Sequence, residues 1–145
     1  MRTLLFTLLM VAAGSVTAMA QENYKLSVTV SEIQSIKGNI LLLVCDEGSF
    51  MKGGIKMGMT KVEGEKAVIE INDLPAGDYA IMLFQDENGN YQLDRGQKGI
   101  PTEGFGFSGN AYSLTQTPTF DQCKFTVSEN SAMTIKLQHI DNIAK

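Results

Sequence analysis

The segment Asp86–Asp94, DENGNYQLD, carries an oxygen-bearing side chain at every second residue and then a further carboxylate. The candidate metal ligands are Asp86, Asn88, Asn90 and Asp94. Alternating oxygens in a tight loop can turn toward one point, which suits a hard cation such as Ca²⁺. Tyr91 stands where calcium loops flanked by helices have a turn glycine, so the predicted dissociation constant is weak, about 10⁻⁴–10⁻³ M. The spacing therefore predicts a loop stabilised by weakly held Ca²⁺.

The same loop also has an interpretation without a metal. Asn88-Gly89 is a preferred central pair of a type I′ β-hairpin, and it follows an apolar run. Asp and Asn side chains also accept hydrogen bonds from their own backbone in turns. The residues alone leave both interpretations open, a purely structural turn and a turn stabilised by Ca²⁺.

A second segment, Gly99–Asn110, alternates glycine with aromatic residues. Phe105 and Phe107 are separated by one residue, so an extended backbone would place both rings on the same side. One interpretation is a shallow aromatic binding surface with polar groups around it. The other is that both rings close the end of a hydrophobic core beneath a long loop. The candidate binding residues are Glu103, Phe105, Phe107, Ser108 and Asn110.

Residues for catalysis are sparse in this chain. A nucleophile needs an adjacent base, but the chain has a single histidine, His139, and no third group is indicated. Paired carboxylates for glycoside hydrolysis could come from Glu87, Asp94 and Glu103. The chain has no Trp on which a sugar could stack. The sequence therefore predicts a protein that is not an enzyme. Ca²⁺ is the candidate cofactor, and the residues indicate no other.

Cys45 and Cys123 are the two cysteines of the chain. In an oxidising compartment they are able to form a disulfide. That disulfide would close a loop of about 78 residues and restrain the unfolded state by about 4 kcal/mol. Two buried free thiols are the alternative, because a sequence does not supply the Cα separation that a disulfide requires.

The N-terminus has the pattern of a secretory signal peptide. Arg2 gives a positive start, Leu4–Val11 is a short apolar core, and Ala18-Met19-Ala20 fits a small-x-small cleavage site. The apolar core is shorter than the about 20 residues that a membrane span requires. Residues 1–20 are therefore predicted to be a leader, and residues 21–145 a single domain in the periplasm or outside the cell.

The charge of the chain restricts its partners. The chain has 145 residues and a formal net charge of −4, and no basic cluster with interleaved aromatics stands out. An acidic surface repels phosphate backbones, so nucleic acid is not a predicted partner. The predicted partners are an envelope protein or a glycan.

The elements that must position these residues have a period of two, which is typical of half-buried strands. The predicted strands are Tyr24–Val30, Ile40–Cys45, Ala67–Ile71, Tyr79–Phe84, Lys124–Val127 and Met133–Leu137, with Ala111–Thr115 as the candidate for a seventh. Short strands of this kind must bury their apolar faces against a second sheet. The predicted fold class is all-β, a sandwich of about seven strands.

Two connections between the strands have distinct compositions. Asp46–Glu65 is rich in Gly, Met and Lys and shows no strand period, so an irregular segment is predicted there. Asp73–Tyr79, DLPAGDY, is predicted to be a tight connector, in which Pro75 fixes φ and Gly77 takes a positive φ. The hydroxyl of Tyr79 is predicted to bond back to this connector, as in a tyrosine corner.

With these segments described, the chain resembles an exported bacterial family, domain of unknown function 2141. The resemblance covers roughly Leu26–Leu137 and is carried by KGNILLLV, DLPAGDYAI, FQDENGNYQLD, GIPTEGFGFS and TPTFDQCKF. It implies a β-sandwich of the prealbumin or carboxypeptidase-regulatory type, related to immunoglobulin-like sandwiches. It implies no established activity.

The leading hypothesis for function is an exported, non-enzymatic binding or accessory module of the cell envelope. Its predicted site is the loop end formed by residues 86–110. The alternative is a purely structural protein-interaction module without a small ligand. A third hypothesis is a hydrolase that uses the carboxylates near Glu103.

Overall fold

A computed structural model describes residues 21–112 and 116–140, and within them eight strands form two sheets. The strands are β1 (Asn23–Ser31), β2 (Asn39–Cys45), β3 (Lys56–Lys61), β4 (Ala67–Pro75), β5 (Gly77–Asp86), β6 (Phe105–Phe107), β7 (Phe125–Val127) and β8 (Ser131–Lys136). The helical segments are α1 (Phe120–Cys123) and two 3₁₀ turns, Gln97–Gly99 and Ser108–Asn110. The predicted all-β sandwich is confirmed; the six clearly predicted strands are present, and β3 and β6 are additional.

Parts of the predicted organisation lie outside the described residues. These are the leader, residues 1–20, and residues 113–115 of the candidate seventh strand, whose first two residues, Ala111 and Tyr112, belong to no strand. In the part of the chain that the structure describes, no helix has the length and apolar character needed to cross a membrane.

The two sheets differ in size and in strand direction. In the three-stranded sheet, β1 lies between an antiparallel β4 and a parallel β8. The five-stranded sheet has the order β3-β2-β5-β6, and β7 pairs with the first residues of β5. Beyond β8 the chain reaches the edge of this second sheet, because Phe105 and Gln138 exchange two backbone hydrogen bonds of 3.0 and 2.7 Å. The sheets are therefore joined on the side where β6 lies.

The hydrophobic core lies between the two sheets and follows the period of two. Alternate residues of β1, β2 and β5 face it and are fully buried or nearly so. They are Leu26, Val28 and Val30 of β1, Ile40, Leu42 and Val44 of β2, and Ile81 and Leu83 of β5. Burial of each such side chain stabilises the fold by roughly 1.5–3 kcal/mol. The core therefore holds β2 and β5 as a rigid support for whatever lies on their outer face.

The outer face of the five-stranded sheet is also apolar. Residues that alternate with the core residues point away from it, and the strand register aligns them in two rows across four strands. One row is Met59, Leu41, Phe84 and Phe105, and the other is Met57, Leu43, Met82 and Phe107. An antiparallel sheet commonly presents polar side chains on the face opposite its core. This sheet has two apolar faces.

Strand β3 corrects the prediction of an irregular segment at Asp46–Glu65. Gly58 is the residue that faces the core, because a Cβ there would lie 2.6 Å from Cγ2 of Ile69 on β4. Met57 and Met59 point outward and are 67% and 52% exposed. The alternation of β3 is thus inverted, because a small residue faces the core and large apolar residues face outward. The sequence pattern therefore did not indicate a strand.

Strand β6 shows the same inversion. Gly106 faces the core, where a Cβ would lie 2.9 Å from Cγ2 of Ile135. Phe105 and Phe107 share one side, as predicted, and their ring centroids are 6.2 Å apart in an edge-to-face arrangement. The rings belong to the outer face of the sheet, so they do not close the end of the core.

The connector between β4 and β5 is shorter than predicted. Strand β4 continues to Pro75 and β5 begins at Gly77. The hydroxyl of Tyr79 donates a hydrogen bond of 3.0 Å to the carbonyl of Pro75, which confirms the predicted contact. The predicted positive φ at Gly77 is wrong, since the left-handed residue in this stretch is Asp73, with φ of 55°.

Candidate functional site

The loop that follows β5 is organised by the side chain of Asp86, which is fully buried. Its Oδ1 accepts hydrogen bonds from the backbone N–H groups of Gly89 at 2.8 Å and Asn90 at 3.1 Å. Its Oδ2 accepts a hydrogen bond from the N–H of Tyr91 at 2.9 Å. Hydrogen bonds to an ionised group are stronger than neutral ones. One carboxylate thus replaces the backbone partners that these three N–H groups would have in a regular strand.

A second carboxylate, that of Glu103, connects the two ends of the same loop. Its Oε1 accepts the N–H of Glu87 at 2.9 Å, and its Oε2 accepts the N–H of Asp94 at 3.0 Å. The side chain is 6% exposed. Both oxygens face the interior of the loop, so the geometry gives Glu103 a structural role. Its predicted role as a ligand-binding residue stays a prediction.

The four predicted metal ligands do lie in one loop, where they bond to each other and to the backbone. Asp94 accepts side-chain hydrogen bonds from Asn88 at 2.5 Å and from Asn90 at 2.8 Å. The amide oxygens of these two asparagines accept N–H groups two residues further along the chain. Within the described residues, no group of three or more His, Cys, Asp and Glu side chains is placed to hold a metal ion. Two of the four predicted Ca²⁺ ligands are asparagines, so the calcium hypothesis stays a prediction.

The predicted type I′ hairpin at Asn88-Gly89 is wrong. A type I′ turn needs positive φ at both central residues, but only Gly89 of this pair has it, with φ of 76°. The partner strand of β5 begins only at Phe105, after the whole loop. The physical reason is the Asp86 carboxylate, which binds the N–H groups of the next residues and turns the chain away from a tight hairpin.

The other two polar candidates tie segments of the fold together. The Oγ of Ser108 accepts the N–H of Ile81 at 2.8 Å and donates to the carbonyl of Cys123 at 2.5 Å. The Oδ1 of Asn110 accepts the N–H of Lys136 at 2.8 Å. These contacts anchor the segment after β6 to both sheets. A role for Ser108 and Asn110 in binding a ligand stays a prediction.

The two phenylalanines border a cavity on the outer face of the five-stranded sheet. Its volume is about 510 Å³, which lies within the range of about 300–1,000 Å³ for small-molecule sites. The sheet and the 94–102 turn provide its apolar lining. The main lining residues are Leu43, Met82, Phe84, Ile100, Phe105 and Phe107. The cavity is where the apolar outer face meets the loops that follow β5 and β6.

The charged residues on the cavity lining are both basic. Arg95 and Lys98 belong to the turn before β6, and both are exposed at the edge of the cavity. Nη1 of Arg95 donates a hydrogen bond of 2.9 Å to the carbonyl of Gly99. This contact fixes the direction of the guanidinium and uses one of its five N–H donors. The edge of the cavity thus has a positive charge in a chain of net charge −4.

Sequence reasoning placed the phenylalanines at the site but missed Leu43, Met82 and the two basic residues. A signal for the first two was present, because continuously apolar runs such as Ile40–Cys45 are typical of strands buried on both faces. No comparable signal marked Arg95 and Lys98. Their position depends on a turn whose shape the sequence did not indicate.

The two cysteines are free and buried in the structure. Burial, with a smaller contribution from the Asp46 carboxylate, raises the pKa of the Cys45 thiol to about 11. Burial raises the pKa of the Cys123 thiol to about 11 as well. The structure corresponds to the second interpretation, two buried free thiols, and no disulfide joins Cys45 and Cys123.

The thiols are expected to be unreactive in the folded protein. The thiolate is the reactive form, and with a pKa of about 11 only about one thiol in a thousand is ionised at pH 8. An aromatic disulfide reagent should therefore modify neither cysteine at pH 8 until denaturant is added, and then modify both. Rapid reaction without denaturant, or no free thiol after denaturation, would contradict the structure.

The raised pKa values also predict a dependence of stability on pH. Between about pH 9 and pH 11 the folded protein keeps thiol protons that the unfolded chain loses, so the free energy of unfolding falls as pH rises. The double variant Cys45→Ala/Cys123→Ala lacks this contribution. Its stability should decline less over the same interval in chemical denaturation experiments.

One family of known proteins matches most of the described part of the chain. The family described as "Uncharacterized protein conserved in bacteria (DUF2141)" matches residues 28–136. This stretch includes the last four residues of β1, all the later strands, the loop after β5 and the greater part of the cavity lining. No curated protein and no solved structure gives a significant match.

Proposed function

The chain belongs to the uncharacterized bacterial family DUF2141, and we propose that it is a non-enzymatic binding module of the cell envelope that holds an apolar ligand in the cavity. The observation that carries this proposal is the apolar outer face of the five-stranded sheet. Large apolar surfaces exposed on soluble proteins commonly mark binding sites. Here such a surface coincides with a concave site of suitable size.

The lining of the cavity supports binding without catalysis. Among the described residues that line it, none is Asp, Glu, His or Cys. Among the carboxylates close to the lining in sequence, Asp94 accepts hydrogen bonds from two asparagine side chains, and Asp86 and Glu103 accept backbone N–H groups inside the adjacent loop. General acid–base catalysis needs a titratable group within hydrogen-bond reach of the substrate. The described lining supplies apolar contact and positive charge instead.

The proposed location in the envelope rests on the N-terminal sequence. Residues 1–20 have the charged start, apolar core and small-residue cleavage site of a secretory leader. An exported module with an apolar cavity would meet ligands and partner proteins of the periplasm or of the cell exterior.

The proposal is tested with a neutral fluorophore, N-phenyl-1-naphthylamine, whose emission rises in apolar surroundings. We expect saturable binding to the purified protein with one site per chain. Met82→Glu places a carboxylate on the cavity floor, where its desolvation is unfavourable. The affinity should fall about tenfold or more, which corresponds to about 1.4 kcal/mol.

The matched control is Val68→Glu. Val68 lies on β4 in the other sheet and is 51% exposed, so this variant adds the same charge to an outer sheet face remote from the cavity. Its affinity for the fluorophore should equal that of the original chain. The proposal is wrong if the original chain shows no saturable binding, or if both variants lose affinity equally while circular dichroism shows them folded.

A calcium-stabilised loop at Asp86, Asn88, Asn90 and Asp94 is the second candidate. The observation that favours it is the direct contact of both asparagine amides with Asp94. Ca²⁺ would replace those two hydrogen bonds and draw amide and carboxylate oxygens toward itself. Because Ca²⁺ must compete with these hydrogen bonds, the expected affinity for Ca²⁺ is weak.

Thermal unfolding with millimolar Ca²⁺ and with a chelator tests the calcium candidate. A ligand that binds only the folded state raises the midpoint, so we expect a higher midpoint in Ca²⁺ that disappears in Asp94→Asn. The variant Asp121→Asn, at an exposed position, should keep the shift. Identical midpoints with Ca²⁺ and chelator for the original chain would remove this candidate.

A further inference from the structure

The cavity combines apolar and positively charged groups. The following inference rests on its proposed function as a binding site. The cavity lining is mostly apolar, and the charged residues among the described lining are the two cations of the 94–102 turn. We propose that the cavity binds a single-chain anionic amphiphile, with the chain along the apolar lining and a carboxylate or phosphate head at Arg95 and Lys98.

The turn that carries the cations is well defined by hydrogen bonds. The N–H of Thr102 donates to the carbonyl of Asp94 at 2.9 Å, and the N–H of Gly96 donates to the carbonyl of Ile100 at 2.8 Å. Between these contacts the chain reverses, with Lys98 in the left-handed region at φ of 64°. The cations therefore lie on a short turn that is closed by backbone hydrogen bonds.

The same turn supplies apolar surface beside the cations. Ile100 and Pro101 line the cavity together with Arg95 and Lys98. Ile100 is 45% exposed, as is Tyr112, which also lines the cavity. Covering exposed apolar area stabilises a complex by about 25 cal/mol per Å² before the costs of association. A hydrocarbon chain that leads away from the cations would cover these side chains.

The two cations have charge left for a ligand. Ion pairs among the described residues involve Lys25, Lys61, Lys124 and Lys136. Neither Arg95 nor Lys98 pairs with a carboxylate of the described residues. The Arg95 guanidinium retains donors suited to a carboxylate or phosphate, which it can bind through two parallel hydrogen bonds. A negatively charged head group complements this edge, and a positively charged one would be repelled.

The test compares probes that share one dodecyl chain and differ only in the head. Dodecanoate and dodecyl phosphate carry an anion, dodecanol is neutral, and dodecyltrimethylammonium is a cation. The displacement of the neutral fluorophore by each probe is measured below the critical micelle concentration of that probe. Both anions should bind about fivefold more tightly than dodecanol, and the cation more weakly, since partly exposed charge pairs contribute modestly. The difference should shrink as salt is added.

The variant Arg95→Gln/Lys98→Gln removes both charges and keeps side-chain length. It should bind dodecanol as before and lose the preference for the anions. The matched control is Lys25→Gln/Lys66→Gln, at two exposed positions in or beside the three-stranded sheet. This variant changes the net charge by the same amount and should keep the preference for the anions. Binding of dodecanoate alone, or of dodecyl phosphate alone, above dodecanol also supports the proposal and identifies the head group.

The outcomes separate the inference from the function on which it rests. If dodecanol binds as tightly as both anions, or if the Arg95→Gln/Lys98→Gln variant keeps the anion preference, the inference is overturned and an apolar binding module remains. If the fluorophore does not bind, both proposals are overturned; if it binds and no dodecyl probe displaces it, the inference alone is overturned. Equal loss of preference in the two double variants would assign the effect to net charge and also overturn the inference.

Discussion

The substitution Asp86→Ala is expected to lower the free energy of unfolding by about 4 kcal/mol, because three backbone N–H groups lose a charged acceptor that is itself fully buried. The affected donors are the N–H groups of Gly89, Asn90 and Tyr91. Alanine offers no oxygen, and the fully buried position of Asp86 limits replacement by water. Chemical denaturation followed by circular dichroism measures the global loss, and amide hydrogen exchange at the three residues measures the local one.

The control for Asp86→Ala is Asp121→Asn, which also removes one negative charge. Asp121 is exposed, and its contact with Lys124 is a surface pair of 3.3 Å, of a kind that contributes little to stability. Its free energy of unfolding should change by less than about 0.5 kcal/mol. An equally small change for Asp86→Ala would show that the carboxylate does not hold the loop.

The strands that could be predicted are those whose apolar residues face the core. β1, β2, β4 and β5 have a regular alternation or a continuous apolar run. β1, β2 and β5 were predicted to within two residues of their observed bounds, and β4 was predicted from the correct start but four residues too short. β3 and β6 were missed because both place glycine inward and large apolar residues outward. Gly58 and Gly106 are needed where the opposite sheet approaches closely. The pattern that hid these strands is the one that makes the outer face apolar.

The loop after β5 could be located but its geometry could not be predicted. Local spacing showed that Asp86, Asn88, Asn90 and Asp94 belong together, and the structure does bring Asn88, Asn90 and Asp94 into contact. The contact of Glu103 with the N–H groups at both ends of the loop spans up to 16 residues. Such a contact depends on the return of the chain to β6, which no local pattern encodes. The basic edge of the cavity depends on the same return.

The substitution Gly38→Ala is the second change with a large expected effect. Gly38 has φ of +67°, and a Cβ there would lie 1.8 Å from the backbone oxygen of Asp86 and 2.7 Å from Cα of Glu87. Because these are backbone atoms, no side-chain rotation relieves the overlap, and β2 must shift relative to the start of the loop. Strain of the left-handed backbone, about 1–2 kcal/mol, and the displacement, about 1–3 kcal/mol, together predict a loss of about 3 kcal/mol.

Gly89→Ala separates the two contributions to this loss. Gly89 has a similar φ of +76°, but no atom lies within 4 Å of a Cβ built there. This variant should therefore lose only the conformational part, about 1 kcal/mol, in the same denaturation experiment. A loss for Gly38→Ala no larger than that for Gly89→Ala would mean that β2 and the loop are not in close backbone contact. The contact matters for the site, because Asp86 ends the strand that carries Met82 and Phe84 into the cavity.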